Sequence, residues 1–269
     1  VMMGGMVLAG IMVISMLPKE IGLNDALHVA GKMGKLEVVD FGFDLNNRYT
    51  FWSGITAALF LFMSYFGTDQ SQVQRYLSGK SLSESRLGLI MNGLLKVPMQ
   101  FVILLIGVMV FVFYQFNEPP MFFNKVESEK VIQSEYHEEY ADLQENYSAL
   151  FEEKQAELFN MVDAINKEDE VLVNQLKSKV QNLQNESDEI REEVKVLVKL
   201  VDDSAETNDK DYIFMTFVMD NLPIGMIGLL FAVMFSAAMS STASELNALS
   251  STTTIDLYKR SIKKKESDR

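Results

Sequence analysis

The chemistry this sequence offers begins with a crowd of small and hydroxyl residues set into an apolar stretch. From Asn221 to Tyr258 the chain reads NLPIGMIGLLFAVMFSAAMSSTASELNALSSTTTIDLY, with Ala237, Ser240 and Ser241, then Thr242 and Ser244, about midway along. Hard cations take oxygen ligands, and two hydroxyls beside a loosened backbone carbonyl supply part of such a shell. Ser and Thr also suit close packing in membrane helices, where the hydroxyl bonds back to the carbonyl four residues earlier. Composition leaves both readings open. Lys96 lies a few residues inside another apolar stretch, two positions before Pro98. It either snorkels to an interface or needs a partner or a wet cavity. Ser64-Tyr65-Phe66-Gly67-Thr68-Asp69-Gln70 closes a third apolar stretch. Its alternatives are a helix stop at an interface and a broken helix whose Tyr65 and freed backbone line a cavity. With no Cys, disulfides, thiolate catalysis and Cys-ligated metals are excluded, and His28 and His137 stand too far apart to make a metal spacing.

Four apolar segments must position these residues. Val1–Leu17 is 17 uncharged residues, near the lower limit for crossing about 30 Å of hydrocarbon, and its Gly4, Gly5 and Gly10 suit close helix approach. A span near 51–70 follows, with Trp52 at one interface and Tyr65 near the other end, then a span over 87–116 and a fourth over 213–258. Between the first two lies a mixed-charge loop with a short surface helix expected at Asn24–Met33. The chain starts at Val1 inside an apolar run, without an initiator Met or a signal-peptide pattern, and reads as a piece of a longer polytopic protein. Arg75, Lys80 and Arg86 occupy the loop 71–87, and Lys259, Arg260 and Lys263–Lys265 the tail 259–269. The positive-inside rule puts both in the cytoplasm, and residues 19–50 and 117–212 outside.

The formal charge of −13 is concentrated in one block, since residues 121–212 carry 24 Asp/Glu and 10 Lys/Arg. So acidic a chain, without a basic aromatic-studded patch, excludes nucleic acid as a partner. The block is periodic. Leu176, Val180, Leu183, Ser187, Ile190, Val194, Leu197 and Val201 follow 4-3-4-3 spacing with one polar fault at Ser187. Ile132, Tyr136, Tyr140, Leu143, Tyr147 and Leu150 run similarly, followed by Leu158, Met161 and Ile165, and Asn166–Asp169 is a polar turn. This pattern predicts an antiparallel helical hairpin with coiled-coil-like arms of about 50 Å each. A single continuous coil that dimerises is the alternative.

Two stretches, FGTDQSQVQRYLSGKSLSESRLGLIMNGLLKVPMQF and FSAAMSSTASELNALSSTTTIDLYKR, resemble hallmark segments of the sodium:solute symporter family. The resemblance covers about 1–116 and 213–262. It implies an all-α polytopic membrane protein, a fragment of a LeuT-like inverted-repeat transporter corresponding to its fifth to eighth core helices, with the acidic hairpin as an extracytoplasmic insert. It implies that Ala237 offers its carbonyl, and Ser240 and Ser241 their hydroxyls, to a bound sodium ion. Tyr65 matches a cytoplasmic-side substrate gate, Lys96 a lysine that reaches toward substrate, and Gln70 belongs to the matching GxxQ pattern. Phe62 and Phe66 stand where a sugar-transporting member has Asn and Trp, and Ala243 replaces one hydroxyl of a second sodium site found in some relatives.

The expected function is sodium-coupled symport of a small polar solute, such as a sugar, sialic acid or carboxylate, by alternating access in an inner (plasma) membrane. Sodium is the only cofactor expected, no bond is made or broken, and the partners are the solute, the bilayer and the absent helices of the full-length protein. The competing expectation is a membrane-anchored sensor or scaffold working through its external insert.

Overall fold

The computed structural model describes residues 2–37, 39–44, 47, 50–77 and 80–262; Lys263–Lys265 of the basic tail, and the side chains of Met2–Met6 and Arg75, lie outside the described residues. The described residues form helices and no strand: α1 (Met2–Ser15), α2 (Leu23–Lys32), α3 (Phe51–Gly67), α4 (Gln70–Leu77), α5 (Leu82–Phe116), α6 (Lys125–Ile132), α7 (His137–Asn166), α8 (Glu170–Val201), α9 (Tyr212–Asn221), α10 (Ile224–Ser251) and a π-helical continuation over Thr252–Ile262. The chain divides into two compact units, one of residues 6–37 and 103–227, the other of residues 1–5, 38–102 and 228–269.

In the first unit, α7 and α8 are joined by a turn whose hydrogen bonds explain its sharpness. Asp169 N–H donates to Ala164 O at 3.0 Å and Glu168 N–H to Ile165 O at 3.0 Å, closing a Schellman motif around Glu168 at φ 58. Asp169 then caps α8, its Oδ1 accepting from Leu172 N–H at 3.0 Å. The two helices bury one apolar seam, with Leu158 and Met161 from α7 and Val173, Val180, Leu183, Val194 and Leu197 from α8. Ser187, the polar fault, is buried in that seam and satisfied locally, its hydroxyl donating to Leu183 O at 2.9 Å. Near the open end, Met121, Phe122 and Val131 join Tyr140, Tyr147, Val194, Leu197 and Val198 in a continuous core. Arg191 locks that end. Its Nε donates to Met121 O at 2.9 Å and its Nη2 to the buried Asp209 at 2.8 Å, while Asp209 also accepts from Phe123 N–H at 2.9 Å. A buried carboxylate so paired and hydrogen-bonded is satisfied, and removing one partner would strand the other.

The second unit has no comparable core. Thr50 caps α3, accepting from Ser53 N–H at 3.3 Å, and Trp52 Nε1–H donates to Phe41 O at 3.2 Å. No described residue of α3 is buried, and Ala248 is the buried residue of α10. Two helical runs, Leu82–Phe116 and Ile224–Ile262, are long and apolar enough to cross a membrane, with mean hydropathy of 2.4 and 1.9 in their most apolar windows; Phe51–Gly67 is a shorter apolar helix. None of the second window is buried. A helix this apolar and this bare needs lipid or further helices around it.

Three boundaries differ from the sequence reading. The stretch 213–258, expected as one span, is broken between α9 and α10: Leu222 is extended at ψ 147, and Pro223, which lacks an N–H, follows it. Beyond α10 the helical path runs on to Ile262 rather than stopping at Tyr258. By contrast Pro98 does not stop α5, which also begins earlier than Leu87, at Leu82. Its start is fixed by Ser81 Oγ accepting from Glu84 N–H at 3.2 Å and by the Glu84 carboxylate accepting from Lys80 N–H at 2.9 Å.

Candidate functional site

Tyr65 and Lys96 come together. The Lys96 ammonium lies 5.7 Å from the centroid of the Tyr65 ring, a cation–π distance, although the two residues stand on α3 and α5. This contact is a partner of the kind that the second reading of Lys96 calls for. The Tyr65 hydroxyl donates to Gln72 Oε1 at 2.9 Å, so ring and hydroxyl are both held. Phe66 packs edge-on against the Tyr65 ring, with centroids 5.0 Å apart.

A break in the helix produces this arrangement. α3 stops at Gly67 with Thr68 and Asp69 N–H both donating to Ser64 O at 3.0 Å. Asp69 begins α4: its Oδ1 accepts from Ser71 N–H at 3.0 Å and from Ser71 Oγ–H at 2.7 Å. The chain breaks between α3 and α4 at Thr68–Asp69, a feature that both readings of this stretch share. Gln70, expected from the GxxQ pattern, is the exposed first residue of α4 and stands outside the Tyr65 hydrogen bond. Gln72 occupies that place. A glutamine two positions on carries no signal of its own in the sequence, because only the turn at Thr68–Asp69 directs it back toward α3.

Ala237, Ser240 and Ser241 sit in the middle of α10, Ala237 half-buried and the two serines exposed. Thr242 is spent on the backbone, its hydroxyl donating to Ala238 O at 2.9 Å. The structure shows no such bond for Ser240 or Ser241, which distinguishes them from Thr242 as candidate ligands. Three and four residues from Ala237 on a helix, they share its side, so the two hydroxyls project the same way while the Ala237 carbonyl runs along the helix axis. That is a partial oxygen shell, and the remaining ligands must come from elsewhere. One turn and a half further on, Asn247 Nδ2–H donates to Gln74 Oε1 at 3.4 Å, linking α10 to α4. Among the described residues no cluster of His, Cys, Asp or Glu could hold a metal ion.

Comparison with known proteins bears on α10. Residues 197–269 match the sequence model of the sodium:solute symporter family. The human sodium/iodide cotransporter is 30% identical over 100 residues, which is 36% of this chain and 15% of the relative. Sodium-coupled monocarboxylate transporter 2 of Mus musculus is 35% identical over 71 residues, 26% of this chain and 12% of the relative. The sodium-dependent multivitamin transporter of Oryctolagus cuniculus is 34% identical over 104 residues, 37% of this chain and 15% of the relative. The matched part is thus a small fraction of each relative's length. No solved structure matches the chain. The resemblance read from the sequence is borne out, and the proteins it leads to are transporters, not enzymes.

Proposed function

We propose that this chain is part of a sodium-coupled symporter, a multi-pass protein of the plasma or inner membrane with a LeuT-like inverted-repeat core. The observation that carries the reading is a coincidence of position. The family match over 197–269 spans α10, the helix on which Ser240 and Ser241 share the side of Ala237 and make no hydroxyl bond like that of Thr242. In this reading those three residues hold half of the coupling sodium's shell, and helices beyond this chain supply the rest. Sodium bound there stabilises an outward-open state, solute binds next, and the occupied protein closes and reopens inward.

Tyr65 and Lys96 would stand on the solute's side of this cycle, the ring as gate and the ammonium as a contact for substrate, with Gln70 near the broken helix. Moving Lys96 off the ring exposes a cation to the solute path, which favours an anionic or strongly polar cargo. The relatives are named for iodide, monocarboxylates and multivitamins, and a carboxylate suits that lysine better than a neutral sugar does. The acidic helical pair is read as an extracytoplasmic insert, its charge facing water.

The test is uptake by the complete transporter. Ser241→Ala is expected to raise the sodium concentration for half-maximal uptake by roughly tenfold, the equivalent of about 1.4 kcal/mol of lost coordination. An unchanged sodium dependence would remove Ser241 from the site.

A further inference from the structure

The polar faults of the helical pair coincide with a cavity. Lys154 occupies a seam position on α7, four residues before Leu158 and seven before Met161, where the periodic pattern calls for an apolar side chain. It is 4% exposed, its ammonium donates to Gln184 Oε1 at 3.0 Å, and it lies 5.4 Å from the Phe151 ring centroid. Among the described residues no carboxylate forms an ion pair with it. Burial pushes this ammonium down to about 8, against a weak opposing pull from Asp188. Gln115, at the end of α5, is 5% exposed, and its Oε1 has no hydrogen-bond partner among the described residues. Both residues line one open-sided cavity of about 500 Å³, together with Arg191, Asp188, Gln184 and Tyr147. That volume falls among small-molecule sites, which run from roughly 300 to 1,000 Å³.

We infer that this cavity is a binding site, separate from the transport pathway, for a small carboxylate that also bears a hydroxyl or amine donor. The carboxylate answers the unpaired ammonium of Lys154, and the donor answers the orphaned acceptor of Gln115. Both groups are buried polar atoms that free energy disfavours leaving unmatched. Arg191 cannot serve as the main anchor, because Asp209 and Met121 O already hold its guanidinium. Lys35 lines the same cavity, so its cations outnumber its acids within an otherwise acidic block. A lysine kept solely to fix helix register would need no cavity beside it and no second orphan across that cavity.

The test is binding of lactate to the purified chain in lipid nanodiscs, in choline buffer without sodium, so that failure of sodium coupling leaves the result intact. Lactate is expected to bind saturably and to slow amide exchange in α7 and α8. Pyruvate, which lacks the donor, and propane-1,2-diol, which lacks the carboxylate, are each expected to bind at least tenfold more weakly. Lys154→Met, which replaces a buried charge by an apolar chain of similar length, should fold and lose lactate binding. Gln115→Leu should weaken lactate about tenfold and leave pyruvate unchanged. Absence of saturable lactate binding to the unaltered chain, or full retention of it in Lys154→Met, overturns the inference.

Discussion

The α7–α8 pair and α10 are both long helical elements rich in apolar side chains, yet they solve opposite problems. The pair buries its apolar residues against itself: Leu158 and Val194 are fully inaccessible, and Lys154 is the charge set among them. α10 leaves its apolar residues bare, with Leu246 61% exposed and Met239 72%. A seam at 4-3-4-3 spacing supplies its own partner through a four-residue turn. A helix apolar on all sides has no seam, and its partners must be lipid or helices from outside this chain. Function follows the same division. What α7 and α8 bury is structural except where a polar group interrupts it, whereas the proposed sodium ligands are hydroxyls that α10 leaves uncommitted.

Truncation should separate the two regions most sharply. Leu158→Ala is expected to destabilise the helical pair by about 2–5 kcal/mol, read as lost amide-exchange protection across α7 and α8. Leu246→Ala should change exchange in α10 by no more than about 0.5 kcal/mol. A loss at Leu246 as large as that at Leu158 would mean α10 has a core of its own.

Charge gives the next contrast. With Lys154 at about 8 in the folded chain against an ordinary 10.5, the unfolded chain binds the extra proton between those values. Stability of the pair therefore rises with pH from about 8 toward 10. Above that the trend turns, because burial pushes the Tyr147 phenol up to about 12 and the unfolded tyrosine ionises first. Asp188 and Arg191 line the same cavity as Lys154. Lys154→Met should raise stability near neutral pH by about 1–3 kcal/mol and abolish the rise. A rise that persists in Lys154→Met would assign it to another group.

The smallest effect belongs to the turn. Glu168 holds φ 58, a conformation that glycine adopts without strain. Glu168→Gly is expected to stabilise the pair by about 0.5–1 kcal/mol, detectable in a denaturant midpoint. Destabilisation would show that the Glu168 side chain contributes more than its backbone strain removes.

Much of this was legible in the residues, for physical reasons that also explain what was not. The spacing of Leu183, Ser187, Val194 and Leu197 places them on one face whatever their partner, so the seam could be read directly. Lys154 escaped notice because a pattern read by apolar type skips a charge, leaving a gap between Leu150 and Leu158 that the structure fills with an ammonium. The break at Pro223 lay within a stretch read as one span, although Asp220, Asn221 and the missing N–H of Pro223 were plain in the residues themselves. The approach of Lys96 to Tyr65 depends on how two helices pack, which no local spacing encodes. Ser240 and Ser241 were visible by type, and it took the Thr242–Ala238 bond to show which hydroxyls on α10 are already spent.

The most direct test of the account is equilibrium binding of radiolabelled sodium to the complete transporter in nanodiscs. The account predicts saturable binding that weakens at least tenfold when Ser240→Ala and Ser241→Ala are combined, and that Thr242→Ala leaves unchanged. Equal sodium affinity in the double variant and the unaltered protein would contradict it.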